Sequence, residues 1–151
     1  MRRAAGFTYI AVLALVAVLG VTLAAAGQAW HTVQQREKER ELLFIGQEFR
    51  VALDRYARQT PRNGRRAPLR LEDLLQDPRA PGMKRYLRRI YVDPMTGNTE
   101  WGLVRGADGA IYGVHSLSSQ QPLKTAGFAP ADRRFEGAAR YSDWIFMQAR
   151  D

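Results

Sequence analysis

From Phe7 to Ala26 the chain is apolar almost without interruption, and no Asp, Glu, Lys or Arg stands between Ala4 and Gln35. About twenty apolar residues are enough to cross a hydrocarbon core of about 30 Å as an α-helix. The pattern therefore predicts one transmembrane helix over residues 7–30. Arg2 and Arg3 precede it, and positive charge is retained on the cytoplasmic side. The expected placement is single-pass in a bacterial inner membrane, N-terminus cytoplasmic and the rest of the chain periplasmic.

Beyond the apolar run the periodicity changes but the helix signal continues. Gln28 to Gln59 contains no proline and only one glycine, Gly46. Arg36-Glu37-Lys38-Glu39-Arg40-Glu41 alternates in charge, the pattern of a solvated helical neck. Leu42, Ile45, Phe49, Ala52, Leu53 and Tyr56 then recur at three and four residues, the stripe of an amphipathic helix. Thr60-Pro61 stops it, because the residue before proline is pushed out of the α region. An amphipathic helix over 31–60 is expected to lead into a head over 61–151.

The head reads as short elements between turns. Leu71-Glu72-Asp73-Leu74-Leu75 predicts a short helix ended at Asp77-Pro78, and Asp93-Pro94-Met95-Thr96-Gly97 is a turn signal. Trp101–Val104 and Ala110–Val114 read as strands joined across Gly106-Ala107-Asp108-Gly109. Tyr141–Met147 reads as a last strand. Between Ser116 and Ala139 no element is evident, and Leu123, Phe128 and Phe135 are its expected anchors. The fold class is α+β: a long N-terminal helix, transmembrane in its first half, packed on a small antiparallel sheet.

Inventory removes most chemistry. The 151 residues include no cysteine, so neither thiol chemistry nor a disulfide is available. The histidines are His31 and His115, without metal-ligand spacing. His115-Ser116 beside Asp108 or Asp143 lacks the Gly-x-Ser-x-Gly context of a hydrolase nucleophile. No catalytic residue or cofactor is assigned. Calcium is the one metal weighed, on Asp132, Glu136 and Asp143 with the hydroxyls of Ser116, Ser118 and Ser119. Calcium loops concentrate several carboxylates in one segment, so capping and turn roles are preferred for these acids.

Charge is concentrated rather than spread. Between Arg55 and Arg89 eleven Lys/Arg face three Asp/Glu, a balance of +8 equal to the net charge of the whole chain. Such a region suits an acidic neighbouring protein, anionic lipid headgroups or nucleic-acid phosphates. Aromatic interleaving for base stacking is limited to Tyr56, Tyr86 and Tyr91, which places nucleic acid last of the three after the reading as a plain solvated surface.

Gly6-Phe7-Thr8-Tyr9-Ile10, set directly before the apolar run, resembles the type III signal of type IV pilins and type II secretion pseudopilins, usually Gly-Phe-Thr-Leu-Ile-Glu. The order of head elements is similar too: a Leu-Glu-Asp-Leu-Leu helix, an Asp-Pro-Met-Thr-Gly turn and a hairpin opened by Trp101. The resemblance implies a pilin-like fold and cleavage by a prepilin peptidase between Gly6 and Phe7. Residues 1–6 would then be a leader and Phe7 a methylated N-terminus. It also implies other pseudopilins or pilins, an assembly platform and an ATPase as partners. One position departs: Ala11 stands where the family carries a glutamate that pairs with a neighbouring subunit's amine. That departure weighs against a main-repeat subunit more than against the family. The function implied is a pseudopilin-like structural subunit of a type II secretion system or related fibre. The alternatives are a minor type IV pilin for DNA uptake or adhesion, and a signal-anchored periplasmic binding domain that does not assemble.

Overall fold

One uninterrupted helix, α1, occupies Ala5–Arg58. The computed structural model describes residues 5–60 and 64–148, and the side chains of residues 5–8 and 21–29 lie outside the described set. The chain divides into two compact units, Met1–Glu37 and Lys38–Asp151. At the C-terminal end of α1, Thr60 donates its hydroxyl to the Tyr56 carbonyl at 3.1 Å, satisfying an acceptor the helix leaves open. Arg55 and Arg58 in the last turn complement the negative end of the helix dipole.

The first unit corrects the membrane assignment. Among the described residues no helix is long and apolar enough to cross a membrane. The apolar side chains described without a break run from Tyr9 to Gly20. That is about 18 Å at 1.5 Å per residue, against about 30 Å of hydrocarbon. The remainder of the run, 21–29, lies outside the described side chains. The transmembrane half of α1, and the single-pass inner-membrane placement that rested on it, are not supported.

The second unit is α+β. Three strands form an antiparallel sheet in the order β1-β2-β3: β1 Gly102–Arg105, β2 Ile111–His115 and β3 Phe146–Met147. The β1–β2 register pairs Gly102 with His115 and Leu103 with Val114, with an irregularity between Val104 and Arg105. Gly109, at φ +73°, closes the intervening loop in a conformation that L side chains resist. Val114 pairs with Phe146 on the other side of β2. The last strand is shorter than its pattern suggests. Tyr141–Asp143 is instead a 3₁₀ turn, begun where Asp143 Oδ2 accepts the Arg140 N–H at 3.0 Å. The segment Leu71–Leu74 is likewise a single 3₁₀ turn.

The stripe of α1 packs on this sheet. Leu42, Ile45, Phe49, Ala52, Leu53 and Tyr56 are buried with Trp101, Val114, Phe128, Phe135, Tyr141, Trp144 and Phe146. Phe135 stacks on Trp144 with centroids 5.7 Å apart, and Phe146 meets Phe135 edge-on at 5.1 Å. The segment 116–139, expected to hold no element, contains a 3₁₀ helix over Pro130–Phe135; Phe128 and Phe135 anchor it, whereas Leu123 is left exposed. Gly46 is the point of closest approach, since a Cβ there would overlap the Phe146 ring.

Candidate assembly surfaces

In the first unit the described apolar side chains have no core to enter. Tyr9, Ile10, Val12, Leu13, Leu15, Val16, Val18 and Leu19 are each more than half exposed. At 100° per residue they cover every side of the helix. A helix apolar all round belongs inside something larger. Ala11 is exposed within the same stretch. Gly6 and Phe7 fall in the first turn of α1, and their side chains lie outside the described residues.

The second unit uses its charges to hold its own loops. Glu39, placed by pattern in a solvated neck, is 3% exposed. Its Oε1 accepts the N–H of Leu123 at 2.6 Å, the N–H of Lys124 at 3.0 Å and the Tyr141 hydroxyl at 2.9 Å. The neck reading fails there because Glu39 lies three residues before Leu42, on the buried face of the helix. Asp93 is fully buried and organises the Asp-Pro-Met-Thr-Gly turn. It accepts the N–H of Met95 and the hydroxyls of Thr96 and Ser116, the last at 2.7 Å.

The residues weighed for calcium are spent in the same way. Asp132 pairs with the buried Arg50 at 2.7 Å, Asp143 begins its 3₁₀ turn, and Glu136 is exposed and apart. Ser116 bonds Asp93, Ser118 Oγ accepts the Gln120 N–H, and Ser119 is exposed. Among the described residues no three His, Asp or Glu side chains converge on a metal position. His115 turns Nδ1 to the Ser116 carbonyl at 2.8 Å, which is not the geometry of a base serving the Ser116 hydroxyl. Asp108 accepts the N–H of Ala110 and the Tyr112 hydroxyl, which hold its carboxyl below the usual range. His31 is exposed on α1.

Among the described residues of the 55–89 region Arg79 is structural, while most of the other basic side chains are exposed. Arg79 forks onto Asp77 through Nε at 2.9 Å and Nη2 at 2.8 Å, and lies 3.4 Å over the Tyr56 ring. Its Nη2 also donates to the Tyr56 carbonyl, and the Tyr86 hydroxyl donates to Asp77 at 2.8 Å. This cluster fastens the end of α1 to the loop after the first 3₁₀ turn. The Arg79 hydrogen bond is the largest influence holding the Asp77 carboxyl down to about 2, while burial pushes the Tyr86 hydroxyl up to about 12. Because the folded state lowers the Asp77 value, its stabilisation is complete above the unfolded value near 4 and disappears as pH falls towards 2. Acid titration of unfolding is expected to show about 2 kcal/mol lost across that window in the wild type and not in Asp77→Asn. Equal acid sensitivity of the two proteins would remove Asp77 as the cause. Arg55, Arg58, Arg65, Arg66, Arg70, Lys84, Arg85, Arg88 and Arg89 are exposed.

Comparison of the chain with family models, curated proteins and solved structures finds no match. Its own residues and geometry carry the functional argument.

Proposed function

We propose that this chain is a pilin-like structural subunit of a type II secretion system or related fibre, assembled through its N-terminal apolar helix. The observation that carries the reading is the ring of exposed apolar side chains from Tyr9 to Leu19. Covering them removes a large apolar surface from water at about 25 cal/mol per Å², and equivalent helices of neighbouring subunits offer a matching surface. The Gly6-Phe7-Thr8-Tyr9-Ile10 signal supports the same reading, with a prepilin peptidase freeing Phe7 as a methylated N-terminus. The second unit then serves as the head, fastened to α1 through the Phe49 core and the Asp77–Arg79 cluster.

Two measurements test this on the full-length protein. Mass spectrometry after expression with a prepilin peptidase is expected to find an N-terminus at Phe7, N-methylated, and Gly6→Val is expected to block the cut. An N-terminus upstream of Gly6 beside an active peptidase overturns the processing. Val16→Cys, introduced into a chain without native cysteine, is expected to give disulfide-linked dimers when the protein is expressed with an assembly system. Monomer alone under oxidising conditions overturns assembly through the helix.

A further inference from the structure

The loop after the first 3₁₀ turn is held at its base and open at its tip. The N–H groups of Tyr86 and Leu87 both donate to the Leu74 carbonyl, at 2.9 and 3.0 Å, and the Asp77 N–H donates to the Lys84 carbonyl at 3.0 Å. The Arg79–Asp77 fork, seated on the Tyr56 ring, closes the same base against α1. At the tip Gly82 turns the chain at φ +109°. Pro81, Gly82 and Met83 are all exposed there. Met83, at 78%, is the most exposed large apolar side chain among the described residues.

Cations follow that tip, and no acid is left to neutralise them. Lys84, Arg85, Arg88 and Arg89 are exposed and make no ion pair among the described residues. No Asp or Glu stands between Pro78 and Val92. The acids of the adjoining segment are committed: Asp77 to Arg79, Glu72 to Arg70 at 3.6 Å, and Asp73 to the N–H groups of Leu69 and Arg70 at 3.1 Å each. An apolar tip beside unpaired cations matches the interface of an anionic bilayer. There a thioether reaches the acyl boundary while ammonium and guanidinium groups stay with the phosphates. Nucleic acid fits less well, because the patch offers no free ring for a base. Tyr86 is half-buried with its hydroxyl on Asp77, Tyr56 lies buried beneath Arg79, and Tyr91 packs edge-on against Phe49.

We propose that the 81–89 loop docks the second unit on a bilayer surface rich in anionic phospholipid. Met83 enters the headgroup region while Lys84, Arg85, Arg88 and Arg89 meet the phosphates. The contact is peripheral: it uses no membrane span, and it does not rest on the fibre reading. Each basic side chain at such a surface strengthens the attraction about fivefold. Because these charges are solvent-accessible, salt is expected to release the loop.

The full-length Met83→Cys chain, which has no other cysteine, can carry an environment-sensitive fluorophore at the tip. Its emission is expected to shift to the blue on vesicles of phosphatidylcholine mixed with phosphatidylglycerol, and to stay unshifted on phosphatidylcholine alone. The apolar stretch of α1 carries no charge and does not distinguish the two vesicles, so the difference reports the loop. Adding Arg85→Gln and Arg88→Gln should lower the ratio of shifted to unshifted label about 25-fold. The same fluorophore on Leu123→Cys should not shift, since Leu123 is bound to Glu39, about 25 Å along α1 from Tyr56. Equal shifts on both vesicles, equal shifts at 83 and 123, or no effect of the arginine pair would each overturn the assignment. No shift on phosphatidylglycerol would do so too, and binding of a duplex oligonucleotide or of polyglutamate in its place would give the patch to that partner.

Discussion

Truncating Phe49 to alanine is expected to destabilise the 38–148 fold by about 3–5 kcal/mol. Phe49 is fully buried where α1 meets the rest of the unit. It meets Trp101 edge-on at 5.1 Å and Tyr91 at 6.2 Å. Edge-to-face pairs add about 0.5–1.5 kcal/mol beyond the area they bury. The site has little freedom to collapse, because Trp101 is pinned by its indole N–H, which donates to the Tyr91 carbonyl at 2.9 Å. The cavity would persist and its full cost with it. Urea unfolding of the full-length protein measures the change, with Phe44→Ala as the control. Phe44 lies on the opposite, exposed side, so its truncation should shift stability by no more than about 0.5 kcal/mol. Equal midpoints for the two variants would show that Phe49 is not a core residue.

Glu39→Ala should cost about 3 kcal/mol or more, although it removes a residue from a run of alternating charge. Three donors converge on one buried oxygen, and a buried donor left without its acceptor costs about 1–3 kcal/mol. Glu39→Gln keeps an oxygen in place and should cost clearly less. Hydrogen exchange gives a local readout. The amides of Leu123 and Lys124 should lose protection in Glu39→Ala and keep it in Glu41→Ala, since Glu41 is exposed. Indistinguishable stability and exchange in the two alanine variants would end the argument for a buried clamp.

What could be read in advance depended on the range of the interactions involved. The stripe from Leu42 to Tyr56 was legible because helical period alone puts those positions on one side. The β1–β2 hairpin was legible because Gly106-Ala107-Asp108-Gly109 is a local turn signal. The burial of Glu39 was not, because its donors come from 84 to 102 residues away. Its phase with Leu42, Gly46 and Phe49 was the available sign, and the flanking charges obscured it. Asp93 was legible as a turn former but not as the buried partner of Ser116, 23 residues on. Tyr141–Met147 alternates like a strand, yet the Asp143–Arg140 bond bends its first half into a turn. Hydropathy and the flanking Arg2 and Arg3 point to a membrane placement, which is not supported because among the described residues no helix is long and apolar enough to cross a membrane. The Gly6–Phe7 signal was legible only as a motif.

The fit of Phe146 over Gly46 joins residues a hundred positions apart. Translation proceeds at about 5–20 residues per second, so on the order of 5–20 seconds separate the two leaving the ribosome. For that interval the apolar side of α1 has been made and its aromatic lid has not. The unit cannot close from its N-terminal end, because β3, Trp144 and Tyr141 all arrive last. Nascent chains of this protein should therefore remain protease-sensitive in the head until Tyr141–Met147 has emerged from the ribosome, and become resistant once it has.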